Sequence, residues 1–105
     1  MRTLNFIVNS QHIIPDPECD FTNIVAGSSG YLQAHFKFSS DWRGYAKVAR
    51  FQRGEKEEGR LLENNACEIP PEILTGATFK VSVIGQKGPA RIETNRIIVQ
   101  QEVAR

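Results

Sequence analysis

The clearest pattern in the chain is strict alternation. From Leu32 to Phe38, Leu32, Ala34, Phe36 and Phe38 fall on one side, and Gln33, His35 and Lys37 on the other. Successive side chains of a strand leave opposite faces, so this is a half-buried strand with one apolar face. A helix would spread the same residues around its circumference. Ser39, Ser40 and Asp41 end the pattern with short polar side chains that favour turns. Trp42, the only tryptophan, stands at the corner. It is expected to plug the core, because aromatics carry the largest burial per residue. Tyr45 to Phe51 resumes as a strand, with Lys47, Ala49 and Phe51 on one face and Ala46, Val48 and Arg50 on the other.

Similar patterns recur on both sides of this pair. Arg2 to Val8 reads as a first strand, Asn9-Ser10-Gln11 as a turn and His12 to Ile14 as the return, stopped by Pro15 and Pro17. In Asp16 to Ala26, residues Phe21, Ile24 and Val25 read either as loop anchors or as a short strand. Gly27-Ser28-Ser29-Gly30 is a loop without the lysine or helix start of a phosphate cradle. Gln52 to Arg60, with charges between glycines, reads as a solvated hairpin tip. Arg60 to Glu63 and Ala66 to Ile69 are short strands divided by Asn64-Asn65. Ile69 to Leu74 fits one helical turn that closes an end of the core. Thr78 to Ile84 is a strand with Phe79, Val81 and Val83 inward, and Gly85 to Pro89 a turn. Arg91 to Gln101 is the last strand, with Ile97 and Val99 inward, and Gln100 to Arg105 is expected to fray. About seven or eight short strands with one helical turn near residues 70–75, and no βα repeat, predict an all-β antiparallel sandwich or small barrel.

Composition narrows the function classes. At 105 residues the chain is one domain, long enough to fold without staples. A net charge of +1 and a pI near 7.8 lack the basic footprint of nucleic-acid binding. Tyr31, His35, Lys37 and Tyr45 give only a faint version of a base-stacking face. No apolar run approaches the roughly 20 residues that cross a bilayer. Leu4 to Val8 is interrupted by Asn5, which does not fit a secretory leader, so cytoplasmic synthesis is expected. Cys19 and Cys67 allow one disulfide, but that setting favours free thiols. His12, His35 and the cysteines lack the short spacings of a metal site, and no GxSxG frame occurs. Glu55, Glu57 and Glu58 lie among lysine and arginine, as in a solvated loop rather than a metal cluster. No catalytic, metal or cofactor residues are therefore expected.

The order FKFSSDWRG, KVARF, CEIPPEIL, FKVSVIG and TNRIIVQQ, across residues 31 to 100, resembles a β-sandwich domain of tailed-phage and prophage structural proteins. The domain is similar to the amino-terminal part of siphophage baseplate upper proteins and of related head-fibre and minor structural proteins. Phe36, Phe38, Trp42, Phe51, Cys67, Ile69, Pro70, Leu74, Val81, Val83, Gly85, Thr94 and Asn95 carry the match. These are mostly core and turn residues, so the resemblance implies an Ig-like β-sandwich more than a site. Baseplate upper proteins continue into a helical linker and a trimerising or receptor-carrying region, whereas this sequence stops at Arg105. The expectation is a docking or decoration module rather than a full adhesin scaffold.

The resemblance thus implies a non-catalytic virion protein, made in the bacterial cytoplasm and present in several copies. It would dock on a capsid or tail partner by edge strands or hairpin tips. The alternative is a phage-encoded inhibitor of a host defence protein, and a weaker one is carbohydrate binding with Tyr31 and Tyr45 as platforms. For either protein partner the candidate contact is the charged tip: Arg53, Glu55, Lys56, Glu57, Glu58 and Arg60.

Overall fold

The structure, a computed structural model, describes residues 1–103. Nine strands form among them: β1 (Arg2–Asn9), β2 (His12–Pro15), β3 (Leu32–Phe38), β4 (Ala46–Arg53), β5 (Lys56–Leu61), β6 (Ala66–Glu68), β7 (Thr78–Lys87), β8 (Ala90–Glu93) and β9 (Ile97–Gln100). Two single 3-10 turns, Ser40–Trp42 and Pro71–Ile73, complete the regular structure. The strands build the expected all-β sandwich. One sheet has the order β2-β1-β3-β6; the other runs β5-β4-β7-β8, with β9 also paired to β7.

The alternating residues explain the core. Leu32, Ala34 and Phe36 of β3 face Ala49 and Phe51 of β4 and Phe79, Val81 and Val83 of β7 within one buried cluster. Ile69, Ile73 and Leu74 close one end from the Pro71–Ile73 turn, as expected. An aromatic file runs through the packing. Phe6 lies 5.5 Å from Phe21 and 5.2 Å from Phe36, and Phe38 lies 5.1 Å from Trp42, ring centre to ring centre.

Trp42 is the plug the sequence suggested, and its corner does more than turn the chain. β3 and β4 lie in different sheets, so residues 39–45 cross from one layer to the other. Trp42 is fully buried, and its indole N–H donates to the Ser10 carbonyl at 2.7 Å. Its ring lies against Gly85 so closely that a Cβ there would sit 2.7 Å from Trp42 Cζ3. This corrects the expected turn at Gly85 to Pro89: β7 continues to Lys87, and Gly85 is a strand glycine that admits the ring. Only Gly88-Pro89 turns the chain, with Gly88 at φ +56, as a two-residue hairpin with a leading glycine requires.

Two other expectations change, and one open alternative is settled. β1 and β3 pair in parallel, an exception to the antiparallel arrangement. Its cause is the segment 16–31, which returns the chain to the starting end of β1. Arg2 holds that segment by donating to the carbonyls of Asp20, Thr22 and Asn23 at 3.0, 2.6 and 3.1 Å. Phe21 packs on the core and Ile24 is buried in it, so they anchor a loop, while Val25 contributes only an isolated bridge to Glu102. That bridge, with the Gln101 N–H on the Ala77 carbonyl at 2.7 Å, pins Gln101 and Glu102 where fraying was expected. Ala104 and Arg105 lie outside the described residues.

The last strand is split. β8 and β9 lie along the same edge of β7, but the register shifts by one residue between them. Thr94 to Arg96 therefore form a bulge. The Thr94 N–H donates to the Val83 carbonyl at 3.1 Å, and the Val83 N–H donates to Thr94 Oγ1 at 3.0 Å. A bulge re-aims side chains out of the ladder. Here it turns Asn95 toward the other sheet.

Candidate functional site

The sandwich has two flanks, where an edge of one sheet meets an edge of the other. On the first, β2 faces the β8–β9 edge. The Asn9–His12 pairing places the free-edge groups of β2 at Gln11, Ile13 and Pro15. Asn95 meets Ile13 in both directions: its Oδ1 accepts from the Ile13 N–H at 2.8 Å, and its Nδ2 donates to the Ile13 carbonyl at 3.4 Å. The Asn95 N–H donates to the Gln11 carbonyl at 3.2 Å, and Gln11 Nε2 donates to the Glu93 carbonyl at 3.4 Å. Pro15 has no N–H to offer. These bonds close the flank at β2 and the bulge; beyond them, Ile98 and Gln100 of β9 turn their backbone groups away from β7 beside a groove of about 250 Å³ lined by Pro15, Phe21, Ile98, Val99 and Gln100.

On the second flank, β5 faces β6, and among the described residues no strand pairs with the outer edge of β5. β4 and β5 form a hairpin whose turn is Gly54-Glu55, with Gly54 at φ +58. The expected solvated tip is thus a two-residue turn, and most of the charged run is an edge strand, Lys56–Leu61. Asn64 and Asn65, at φ +53 and +62, make the next tight turn and bring the chain to β6. A two-residue hairpin makes Arg53–Lys56, Phe51–Glu58 and Ala49–Arg60 the hydrogen-bonded pairs. The Leu62 N–H on the Lys47 carbonyl at 2.9 Å continues that alternation. Glu57, Gly59 and Leu61 therefore point their N–H and C=O groups away from β4. The Gly59 carbonyl accepts from the Arg60 guanidinium at 2.8 Å.

The six residues singled out from sequence share this hairpin but not one cluster. Glu55 is exposed in the turn. Glu57 lies on the outer face, 3.6 Å from Arg50, which also meets Glu93 at 2.6 Å. Lys56, Glu58 and Arg60 share the face of Phe51 and Ala49, and Arg53 reaches the Glu72 carbonyl at 3.2 Å. Arg60 opens into a groove of about 380 Å³ bounded by Leu61, Glu63, Ala66, Cys67, Glu68, Pro70 and Pro71. Of these, sequence reasoning named Arg60 alone as a contact residue, with Cys67 and Pro70 noted only for the resemblance, because the groove is made by bringing β5 beside β6.

The groove holds one thiol. Burial pushes the Cys67 thiol up to about 11 against the opposing pull of Arg60, so it stays protonated at neutral pH. Both cysteines are free thiols, as favoured from sequence. His12 and His35 are exposed, and among the described residues no three of His, Cys, Asp or Glu converge as metal ligands. Tyr31 precedes β3, whereas Tyr45 follows its far end and packs on Trp42. The seven residues of β3 between them span roughly 23 Å, too far for one sugar platform. No family model matches the chain, and no curated protein matches it in sequence.

Proposed function

We propose that this chain is a non-catalytic docking module of the phage virion type that its sequence resembles, acting by protein contact at the open flank. The observation that carries the reading is the asymmetry of the sheet edges. β2 spends its free backbone groups on Asn95, while β5 turns those of Glu57, Gly59 and Leu61 away from β4 beside the groove, where only the neighbouring Arg60 covers the Gly59 carbonyl. An unpaired edge accepts a partner strand through its main chain, and neighbouring grooves read the partner's side chains. Multiple copies on a symmetric particle make modest contacts sufficient.

The test is mass spectrometry of purified particles, with copy number, for the wild type and for Gly59→Pro. Gly59 offers its N–H to the open edge and not to β4, so proline there blocks docking while leaving the hairpin bonded. A fixed stoichiometry lost in the variant supports the reading. Abundant free protein that is absent from particles overturns it and points to the host-directed inhibitor.

A further inference from the structure

We infer that the β5 edge pairs with a second copy of this chain, antiparallel about a twofold axis at Gly59. The inference rests on the reading of β5 as a docking edge and names its first occupant.

The strand itself restricts the register. A twofold axis perpendicular to the sheet keeps outer faces together, so residues of like parity must oppose each other. Centring the axis on Lys56, Glu57, Glu58 or Arg60 sets a charge against its own copy, and like charges directly opposite destabilise a pair. A Glu58 centre also opposes Lys56 with the partner's Arg60. A Leu61 centre runs the pairing past the end of β5, where the chain leaves for β6. Only the Gly59 centre avoids both faults. It sets Glu58 opposite the partner's Arg60 twice over, and Glu57 opposite the partner's Leu61. Glu57, Gly59 and Leu61, the residues with free backbone groups, then become the hydrogen-bonded positions of the new ladder.

Gly59 supplies a second, independent observation. Its φ is not positive, and a Cβ built there meets only ordinary contacts, Val48 Cγ1 at 3.4 Å and the Ala49 carbonyl at 4.0 Å. Nothing within one copy demands glycine at this place. A bulge, a tight bend or the close approach of another backbone are the usual reasons for a strand glycine, and a twofold axis at Gly59 sets the two Gly59 backbones opposite each other with no side chain between them. The Arg60 guanidinium that now covers the Gly59 carbonyl is released to the partner's Glu58 on pairing.

Sedimentation velocity of the full chain over a wide concentration range tests this. The wild type forms a concentration-dependent dimer, and Gly59→Pro is monomeric while its circular dichroism shows the sandwich still folded. Glu58→Arg or Arg60→Glu alone weakens the dimer about tenfold or more, and the double exchange restores it. A wild type that is monomeric throughout overturns the inference. So does a dimer indifferent to Gly59→Pro, and failure of the double exchange to restore association removes the register. Particle incorporation by a strictly monomeric chain would retain the docking reading and discard the dimer, whereas a dimer absent from particles would do the reverse.

Discussion

The two flanks of this sandwich solve the same problem in opposite ways. Each brings together two sheet edges with backbone groups that no strand pairs. On the β2 side, a one-residue bulge aims Asn95 at Ile13 and uses a side-chain amide as a substitute strand. On the β5 side the edge carries charge instead: Lys56, Glu57, Glu58 and Arg60 keep it hydrated. Charged edge strands resist indiscriminate pairing. They also permit pairing where the charges match. One flank is therefore bonded closed around β2, and the other presents a charged edge.

That contrast breaks first at Asn95. Asn95→Ala leaves the Ile13 N–H and C=O without a side-chain partner, at a cost of about 2 kcal/mol. For a domain of this size the melting temperature should fall by roughly 10 °C, as calorimetry would show. A change of under a degree would mean that the stitch is ornamental. Gly54→Ala is the matching probe of the open flank. It forces a Cβ into the left-handed region at φ +58 and costs about 1 kcal/mol in urea unfolding.

A pH scan sharpens the comparison further. Arg50 lies between the flanks, bonded to Glu93 on β8 and at longer range to Glu57 on β5. Its hydrogen bond and charge hold the Glu93 carboxyl below the ordinary 4.5. A lowered carboxyl pKa contributes stability above 4.5 that is lost as pH falls through the folded value. Glu93→Gln should flatten this acid limb in a denaturation series, and Glu57→Gln should leave it in place. Equal effects would show that the network spans both flanks evenly.

The smallest effect belongs to Cys67. With its thiol near 11, only about one part in a thousand is thiolate at pH 8, so alkylation there should be slow until the protein is unfolded. The sign of its linkage is opposite to that of Glu93. Stability contributed by the buried thiol is intact below 9 and declines as pH rises toward 11. Rapid labelling of folded protein, followed by peptide mapping, would place Cys67 in a more open groove.

What the sequence disclosed was local. Alternation from Leu32 to Phe38 and from Phe79 to Val83 marked inward faces correctly, because one buried face imposes period two on a strand. Paired asparagines at 64 and 65 marked a turn because both must adopt positive φ. What stayed hidden depended on partners distant in sequence. Gly85 read as a turn because nothing near it announces the Trp42 ring. The parallel pairing of β1 with β3 follows from the return of segment 16–31, and the bonds by which Arg2 holds that loop are ones any surface arginine could hide. Lys56 to Arg60 looked like loop because an edge strand buries so little that period two fades. The groove was invisible for the same reason: no stretch of the chain contains both of its walls.

The crossing at Trp42 has an optical consequence. The single indole sits where the layers meet, bonded to the β1–β2 turn and resting on β7. Its emission should be blue-shifted in the native protein and move to the red when water reaches the ring. Because no other tryptophan contributes, this one chromophore reports whether the two sheets are docked, whichever sheet loosens first. A strand lost from the open flank alone would leave the spectrum unchanged. Separation of the layers would not.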